Sequence, residues 1–259
     1  MSPLKALLKP LVPERWRRFV RVHAKRVWPP IGLVRFGGLR RLTPVSARFG
    51  ERGQPIDRYY VERFLARQSG QDDYVLGDIR GHTLEIGDDF YSRMFGLWGT
   101  PRSTIERLDV LSADAAAAQA TIVGDLTAAD HVPSDTFDCI ICTQTLFLIY
   151  DVRAAIETLH RSLKPGGVLL VTVPGISPVC RPDINLWGDH WRFTSLSARR
   201  LFEERFDAAD VSVEAHGNVL AAVAFMHRLG SGELKPSELE LNDPDFELVI
   251  TVRAQKRSG

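Results

Sequence analysis

Two stretches decide the fold: FDCIICTQ at residues 137–144 and LKPGGVLLVTVP at residues 163–174. The first six residues of the former are almost all apolar, which is typical of a strand buried on both faces of a sheet. In the latter, Pro165–Gly167 ends a helix and Val168–Val173 forms a second apolar strand. Between them Asp151 is expected to cap a helix, because apolar residues recur there at helical spacing: Val152, Ala155, Ile156, Leu159 and Leu163.

The alternation of strand and helix continues outward in both directions. We predict further strands over Thr83–Ile86, Ile105–Ala113, Ala120–Val123, Val211–Ala215 and Phe246–Ala254. We predict further helices over Ile56–Gln68, over Leu196–Phe206 with Ser195 as its cap, and near Val219–Leu229. This order indicates an α/β fold with an open parallel sheet and helices on both faces. Ligands of such sheets bind at the carboxyl ends of the strands, where the strand order reverses.

Charge is distributed unevenly along the 259 residues, although the net charge is only +1. Residues 1–58 carry 14 basic and 3 acidic residues, a net charge of +11, and the remaining residues carry 19 basic and 29 acidic, a net charge of −10. The composition, 44% apolar and 25% charged, excludes a wholly disordered or polytopic membrane chain. We therefore separate a basic helical extension and linker, residues 1–55, from a domain over residues 56–259.

Residues 4–28 of the extension predict one or two basic amphipathic helices, for which two interpretations stay open. Such a helix can lie on an anionic membrane surface, or it can cap the acidic body of the protein. We expect no nucleic-acid partner, because no basic strand with interleaved aromatic residues is present. The expected location is cytoplasmic, with peripheral contact at the inner membrane surface through residues 1–28 as the alternative. The oligomeric state is not predicted.

The three cysteines do not form a disulfide framework. Cys139 and Cys142 form a CxxC pair, but both lie in the predicted strand over residues 137–142. Residues three apart on a strand point to opposite faces, so the pair cannot bind one metal ion together.

Four segments carry a family resemblance: DLT at 125–127, FDCIICTQ at 137–144, LHRSLKPGGVLLVTVP at 159–174 and WRFT at 191–194. Over about residues 80–254 the chain resembles class I S-adenosylmethionine-dependent methyltransferases. The resemblance implies a Rossmann-like, mostly parallel seven-strand sheet, S-adenosylmethionine as cofactor and methyl transfer as the reaction. WRFT is similar to members that act on small molecules and sugars. The implied acceptor is therefore a small or glycan-like molecule, methylated at oxygen.

The first strand ends in the family's cofactor loop, with Glu85 and Gly87 as expected cofactor contacts. A carboxylate there can hold the methionine ammonium through water or a backbone group, and a glycine lets the backbone approach the ligand. Asp89 replaces the family's second glycine. Its charge is compatible with a cationic cofactor and hostile to the pyrophosphate of NAD. Either the loop binds S-adenosylmethionine in a modified way, or the chain is a non-catalytic binding or scaffold protein with a degenerate loop.

Other carboxylates are expected at the ends of strands two and three. Asp109 and Asp114 compete for the ribose hydroxyls, since a carboxylate has paired acceptor sites. Asp114 is preferred because it precedes the short connection to strand three. The resemblance assigns Asp125 and the neighbouring Leu126 to the adenine.

Polar residues follow strand four, which in the family faces the methyl donor and acceptor. We assign Thr143 to the cofactor and Gln144 to the substrate. The histidine that often follows in the family is absent from residues 146–149, so it cannot serve as base.

The candidate catalytic residues lie in the polar and aromatic loop at residues 187–192. His190 is a candidate base for a hydroxyl acceptor, and the adjacent Asp189 can orient it. Trp187 and Trp191 can stack on a sugar or aromatic acceptor. The spacing of acidic residues with His190 is not diagnostic for a metal, and we predict no metal site.

Residues before the sheet are expected to cover the site. Arg58, Tyr59 and Tyr60 are the candidates, with Tyr60 assigned to the substrate. A nicotinamide-dependent reductase would need a Tyr-x-x-x-Lys pair, and neither Tyr59 nor Tyr150 has a lysine at that offset.

Overall fold

The computed structural model describes residues 37–70 and 77–258. The chain divides into two compact units, and the larger, Thr43–Gly259, contains the sheet. In the smaller unit, Met1–Leu42, the described residues include a short 3-10 turn at Gly37–Leu39. The helices predicted over residues 4–28 lie outside the described residues. No helix in the described part of the chain is long and apolar enough to cross a bilayer.

Seven strands and seven α-helices lie within the described part of the larger unit. The strands are β1 (Gly81–Ile86), β2 (Ile105–Ser112), β3 (Ile122–Val123), β4 (Phe137–Thr143), β5 (Leu163–Pro174), β6 (Val211–His216) and β7 (Val249–Gln255). The helices are α1 (Ile56–Ser69), α2 (Phe90–Phe95), α3 (Val152–Ser162), α4 (Arg181–Ile184), α5 (Ser195–Glu203), α6 (Val219–Met226) and α7 (Pro236–Glu240).

The strands form one sheet in the order β3-β2-β1-β4-β5-β7-β6. All neighbouring strands are parallel except β7, which runs antiparallel to both β5 and β6. The predicted Rossmann-like, mostly parallel seven-strand sheet is thereby confirmed. From β1 the chain moves outward to β3 and then returns to β4 on the other side of β1. The strand order therefore reverses between β1 and β4, where a ligand crevice is expected.

The two central strands are buried on both faces, as their apolar sequences predict. Cys139 and Cys142 of β4 are fully buried and belong to separate core clusters, one on each face of the sheet. Burial raises the pKa of both thiols, that of Cys142 to about 12. Both are neutral core residues, which confirms that the CxxC pair points to opposite faces.

The helix between β4 and β5 begins as predicted and ends one residue early. Asp151 caps α3 by accepting a hydrogen bond from the Ala154 N–H at 3.1 Å. The chain becomes extended already at Leu163, which pairs with Phe137. The predicted turn at Pro165–Gly167 therefore lies inside β5, where Gly166 has φ +81° and donates its N–H to Lys256.

The cap of α5 differs from the prediction. Thr194, not Ser195, is the capping residue, because its hydroxyl accepts from the Ser197 N–H while the Ser197 hydroxyl accepts from the Thr194 N–H. Ser195 instead donates its N–H and hydroxyl to the Glu247 carboxylate.

Helix α1 precedes the sheet and packs on the face that carries Cys139. Its apolar side chains are buried there: Ile56, Tyr60, Val61, Phe64 and Leu65. Residues 43–55, which the sequence assigned to the linker, belong to the larger unit. They lead into α1 through a bridge between Pro55 and Gly230. This packing holds the first turn of α1 near the carboxyl ends of β4 and β5.

Candidate functional site

Three adjoining cavities lie at the carboxyl ends of the strands. The large cavity, about 690 Å³, is lined by the residues that follow β1, β2, β3 and β4. The side chamber, about 330 Å³, lies between the start of α1 and the ends of β4 and β5. The junction, about 640 Å³, shares Gly87, Asp88 and Thr145 with the large cavity, and Arg58 and Gln144 with the side chamber. The large cavity and the side chamber are therefore connected by residues that line the junction.

The turn after β1 brings backbone against the large cavity. Gly87 has φ +102°, a conformation that favours glycine, and its N–H donates to Leu111 of β2 at 2.8 Å. Asp88 also lines the cavity. Asp89 does not: its carboxylate pairs with Arg93 one helical turn later. Of the two acidic residues in this turn, Asp88 therefore lines the cavity and the predicted Asp89 does not.

Glu85 does not line the large cavity, in contrast to the prediction. Its buried carboxylate accepts hydrogen bonds from the Tyr91 N–H at 2.9 Å and the Ser92 N–H at 2.7 Å, at the start of α2. Desolvation dominates these hydrogen bonds and raises the pKa of Glu85 to about 7. Glu85 thus holds the turn of Gly87 and Asp88 against α2, and it acts on the cavity through that turn.

The raised pKa of Glu85 predicts a dependence of stability on pH. Since its pKa in the folded state exceeds the ordinary 4.5, this contribution is fully present below pH 4.5 and is lost as pH rises through about 7. The loss is about 3 kcal/mol at 1.36 kcal/mol per pKa unit. In urea unfolding between pH 4.5 and 8, the wild type should therefore lose about 3 kcal/mol relative to Glu85→Gln. The partly buried carboxyls Asp57 and Glu62, whose pKa values are also raised, contribute equally to both proteins and cancel in this difference. Parallel stability curves for the two proteins would contradict the assignment to Glu85.

The two carboxylates that compete for the ribose hydroxyls lie in different surroundings. Asp109 lies within the sheet, where its oxygens contact His82 Nε2 at 2.7 Å and the Thr121 hydroxyl at 2.8 Å. Burial opposes ionisation of Asp109, but these hydrogen bonds outweigh it and lower its pKa. Asp109 is therefore not at the cavity. Asp114 lines the cavity, and its Oδ1 accepts from the Ala116 N–H at 2.8 Å, which leaves Oδ2 for a ligand.

The end of β3 places Asp125 and Leu126 at the cavity, as expected. Asp125 Oδ1 accepts from both the N–H and the hydroxyl of Thr127, so this residue also caps the turn over Leu126–Ala128. Leu126 is buried and supplies an apolar wall. The cap orients the carboxylate, and a ligand contact through Oδ2 is compatible with it.

The large cavity has a one-sided charge. Four carboxylates line it, and no lysine or arginine is among the described residues that do: Asp88, Asp114, Asp125 and Asp151. Such a wall attracts a cation and repels a pyrophosphate. This set of hydrogen-bond acceptors therefore fits a ligand that combines positive charge, vicinal hydroxyls and an apolar ring, which is the chemistry of S-adenosylmethionine.

The last residue of β4 and the residue that follows it line the junction. Thr143 lines the junction and not the large cavity, whereas Gln144 lines both the junction and the side chamber. Gln144 has φ +47°, and its N–H donates to the Thr172 carbonyl at 2.8 Å. Its side-chain amide donates to the Thr172 hydroxyl at 3.3 Å. This unusual conformation turns the Gln144 side chain toward the two smaller spaces.

The loop at residues 187–192 contributes two of its four predicted residues. Trp187 lines the large cavity and the side chamber, and His190 lines the large cavity. Asp189 is almost fully buried and pairs with Arg192, whose hydrogen bonds lower the pKa of Asp189. Trp191 donates its indole N–H to Ile149 at 3.0 Å and stacks on Tyr150. Asp189 and Trp191 therefore shape the loop and do not face the cavities.

Among the covering residues, only Arg58 reaches the site. It lines the side chamber and the junction, and its guanidinium lies 3.4 Å from the Tyr91 hydroxyl. Tyr60 is buried and donates its hydroxyl to Leu239 at 2.9 Å, away from the cavities. Tyr59 accepts from Arg63. Tertiary packing therefore places the Tyr60 hydroxyl away from the three cavities, and its substrate role stays an untested prediction.

Three carboxylates that line the cavities are not among the site residues predicted from the sequence: Asp57, Asp88 and Asp151. Asp57 lines the side chamber beside Arg58. The signal for Asp88 was present, since it follows the glycine of the turn directly. Asp151 was predicted as a helix cap, which it is, but the same residue also faces the large cavity.

Comparison with known proteins agrees with this geometry. A family model described as a methyltransferase domain matches residues 80–218. No curated protein matches the chain in sequence. The fold is similar to Haemonchus contortus phosphoethanolamine N-methyltransferase 2, solved with S-adenosyl-L-methionine, with 13% identity and a TM-score of 0.52 over 79% of this chain and 54% of that chain. N-methyltransferase NodS of Bradyrhizobium japonicum, solved with S-adenosyl-l-homocysteine, has 15% identity and a TM-score of 0.48 over 78% of this chain and 88% of that chain.

Proposed function

Because the chain belongs to the methyltransferase domain family and uses S-adenosylmethionine, we propose that its acceptor is a small or glycan-like molecule, methylated at oxygen. Family membership confirms the predicted enzyme class and cofactor. The acceptor is inferred from the cavities. The observation that carries the proposal is the side chamber, which adjoins the acidic large cavity through the junction and a shared wall.

We assign the cofactor contacts to residues that line the large cavity. In this proposal Asp114 accepts from the ribose hydroxyls, Asp125 and Leu126 contact the adenine, and Gly87 with Asp88 contacts the methionine end. When bound, the cofactor supplies an electrophilic methyl group on a sulfonium. The carboxylates of this chain hold that cation and orient it toward the junction.

The side chamber supports a small acceptor with hydroxyl groups. Its volume and its position beneath the first turn of α1 favour a compact molecule over a macromolecular surface. Hydrogen-bonding side chains from three elements line it: Asp57, Arg58, Gln144 and Ser177. Methylation of a hydroxyl needs a nearby proton acceptor, and the chamber provides a carboxylate for this purpose.

The non-catalytic alternative rested on Asp89 in the glycine loop. Since that side chain pairs with Arg93 and stays outside the cavity, it obstructs no cofactor. No observation in the described residues therefore favours a scaffold over an enzyme.

Calorimetry and isotope labelling test the proposal together. We expect micromolar binding of S-adenosylmethionine and S-adenosylhomocysteine, and no binding of NADH, because the cavity carries four carboxylates. Incubation of the protein with trideuteromethyl-labelled cofactor and a deproteinised small-molecule extract should yield labelled methyl ethers by mass spectrometry. Labelled amines or thioethers without ethers would contradict methylation at oxygen. Folded protein that binds neither cofactor would contradict the whole proposal.

A further inference from the structure

Resting on the proposed methyl transfer, we infer that the side chamber takes a neutral polyhydroxylated ring and that Asp57 binds the hydroxyl that is methylated and receives its proton. Three features of the structure support this role: the position of Asp57, the groups around it, and the path from the chamber to the large cavity.

Asp57 is a carboxylate presented to the chamber, and within residues 37–70 and 77–258 it has no ion pair closer than 4.0 Å. It lies in the first turn of α1, directly after Pro55 and Ile56, and its side chain is 19% exposed. The nearest cationic atom is Arg58 Nε at 4.0 Å. Burial raises the pKa of Asp57 above the ordinary value and outweighs the opposing charge of Arg58 and the backbone N–H groups of its own turn. A carboxylate in this state accepts a proton more readily than an exposed one.

The chamber is lined by both aromatic rings and hydrogen-bonding groups. The rings belong to Phe49, Phe147, Trp187 and Phe225. The Arg58 guanidinium and the Gln144 amide add donors and an acceptor to the Asp57 carboxylate. A flat apolar acceptor would need only one or two polar contacts. A ring with several hydroxyl groups can form hydrogen bonds with all of these polar side chains. Its C–H faces can lie against the aromatic walls.

The charge of the chamber indicates a neutral ligand. Asp57 and Arg58 are the charged residues among the described ones that line it, and their charges cancel. A phosphorylated or acidic acceptor would leave Asp57 opposed by a like charge, and an ammonium would meet Arg58. A neutral sugar-like ring avoids both penalties.

The path to the methyl group runs from the chamber through the junction. Arg58 and Gln144 line both spaces, and Gly87 and Asp88 continue the junction into the large cavity. In the reaction the acceptor oxygen bonds to the methyl carbon as the carbon–sulfur bond breaks, and its electron pair stays on sulfur. The hydroxyl proton moves to an oxygen of Asp57, so no further reactant is needed.

The other titratable groups near this path are less suited to take that proton. Glu62 lines the junction, but its carboxylate already accepts from the Gln54 amide at 2.6 Å. His190 lines the large cavity, edge-on against Tyr150, and lines neither the chamber nor the junction. Asp88 faces the cationic ligand. Asp57 is the carboxylate that lines the chamber itself.

The test separates binding of the acceptor from removal of its proton. The full chain, saturated with S-adenosylhomocysteine, is mixed with a panel of neutral methyl pyranosides, with glucosamine and with glucuronate, and saturation-transfer NMR reports binding. We expect a neutral pyranoside to bind most tightly and to be methylated by the wild type. Asp57→Asn should keep acceptor binding within about threefold while turnover falls about 100-fold, because asparagine accepts a hydrogen bond but no proton. Asp57→Glu should restore part of the turnover.

Calorimetry with S-adenosylhomocysteine distinguishes failure of the role inferred for Asp57 from failure of the proposed function. Unchanged cofactor binding in Asp57→Asn shows that the variant is folded and that the large cavity is intact. With cofactor binding intact, three results would overturn the inference: no bound pyranoside, tighter binding of the charged sugars, or unchanged turnover in Asp57→Asn. A larger loss of turnover in Glu62→Gln than in Asp57→Asn would move the role to Glu62. Absence of cofactor binding in the wild type would instead refute the proposed function.

Discussion

Asp114→Ala is expected to weaken the binding of S-adenosylmethionine and S-adenosylhomocysteine about 100-fold, with little change in folding stability. The carboxylate stands at the end of β2, on the wall of the large cavity, and its Oδ2 is left for a ligand. Hydrogen bonds to a charged group contribute about 1.5–3 kcal/mol each. Two ribose hydroxyls on one carboxylate at the lower value give about 3 kcal/mol, which corresponds to about 100-fold in affinity.

Asp151→Ala provides a matched control, because Asp151 is another carboxylate of the same cavity. Its Oδ1 caps α3, so alanine should cost about 1 kcal/mol of stability. If Asp114 acts by direct recognition of the ribose, Asp151→Ala should weaken cofactor binding by a few-fold only. Equal losses in the two variants, measured by calorimetry at the same ionic strength, would show that the cavity acts through its total charge. Asp114 would then lose its assigned role.

The sequence predicted those features that depend on strand order. The ends of β2 and β3 follow from apolar runs, so the order of residues alone placed Asp114, Asp125 and Leu126 at one edge of the sheet. The neighbouring residues Asp88 and Asp89 could not be distinguished in this way. Within a tight turn the direction of each side chain depends on local dihedral angles and on partners such as Arg93, which sits one helical turn later.

Long-range packing decided the remaining positions. Tyr60 was predicted at the substrate, yet its hydroxyl bonds to Leu239, 179 residues later in the chain. The same packing of α1 places Asp57 at the side chamber, beside the carboxyl ends of β4 and β5. The hydrophobic periodicity of residues 56–69 predicts the buried face of the helix, but it does not predict which end of the helix lies at the site. The pairing of Asp189 with Arg192, in contrast, joins residues three apart and was readable from the sequence.

Gly87→Leu is expected to abolish detectable cofactor binding, a loss of more than about 100-fold. Two effects combine at this position. A leucine at φ +102° strains the backbone by about 1–3 kcal/mol. A Cβ at Gly87 meets no atom of the described residues within 4 Å beyond its chain neighbours, so the new side chain has room to extend into the large cavity that the glycine lines. The leucine would then occupy space assigned to the methionine end of the cofactor.

Gly53→Leu separates strain from obstruction. Gly53 has φ +91°, a Cβ there also meets no atom within 4 Å, and the residue lines none of the three cavities. Both variants should therefore lose a similar free energy of unfolding, measured with urea, while only Gly87→Leu loses affinity for S-adenosylhomocysteine in calorimetry. Full affinity in a folded Gly87→Leu protein would place the cofactor elsewhere. Loss of affinity in both variants would attribute the effect to strain, because obstruction can act only at the glycine that faces the cavity.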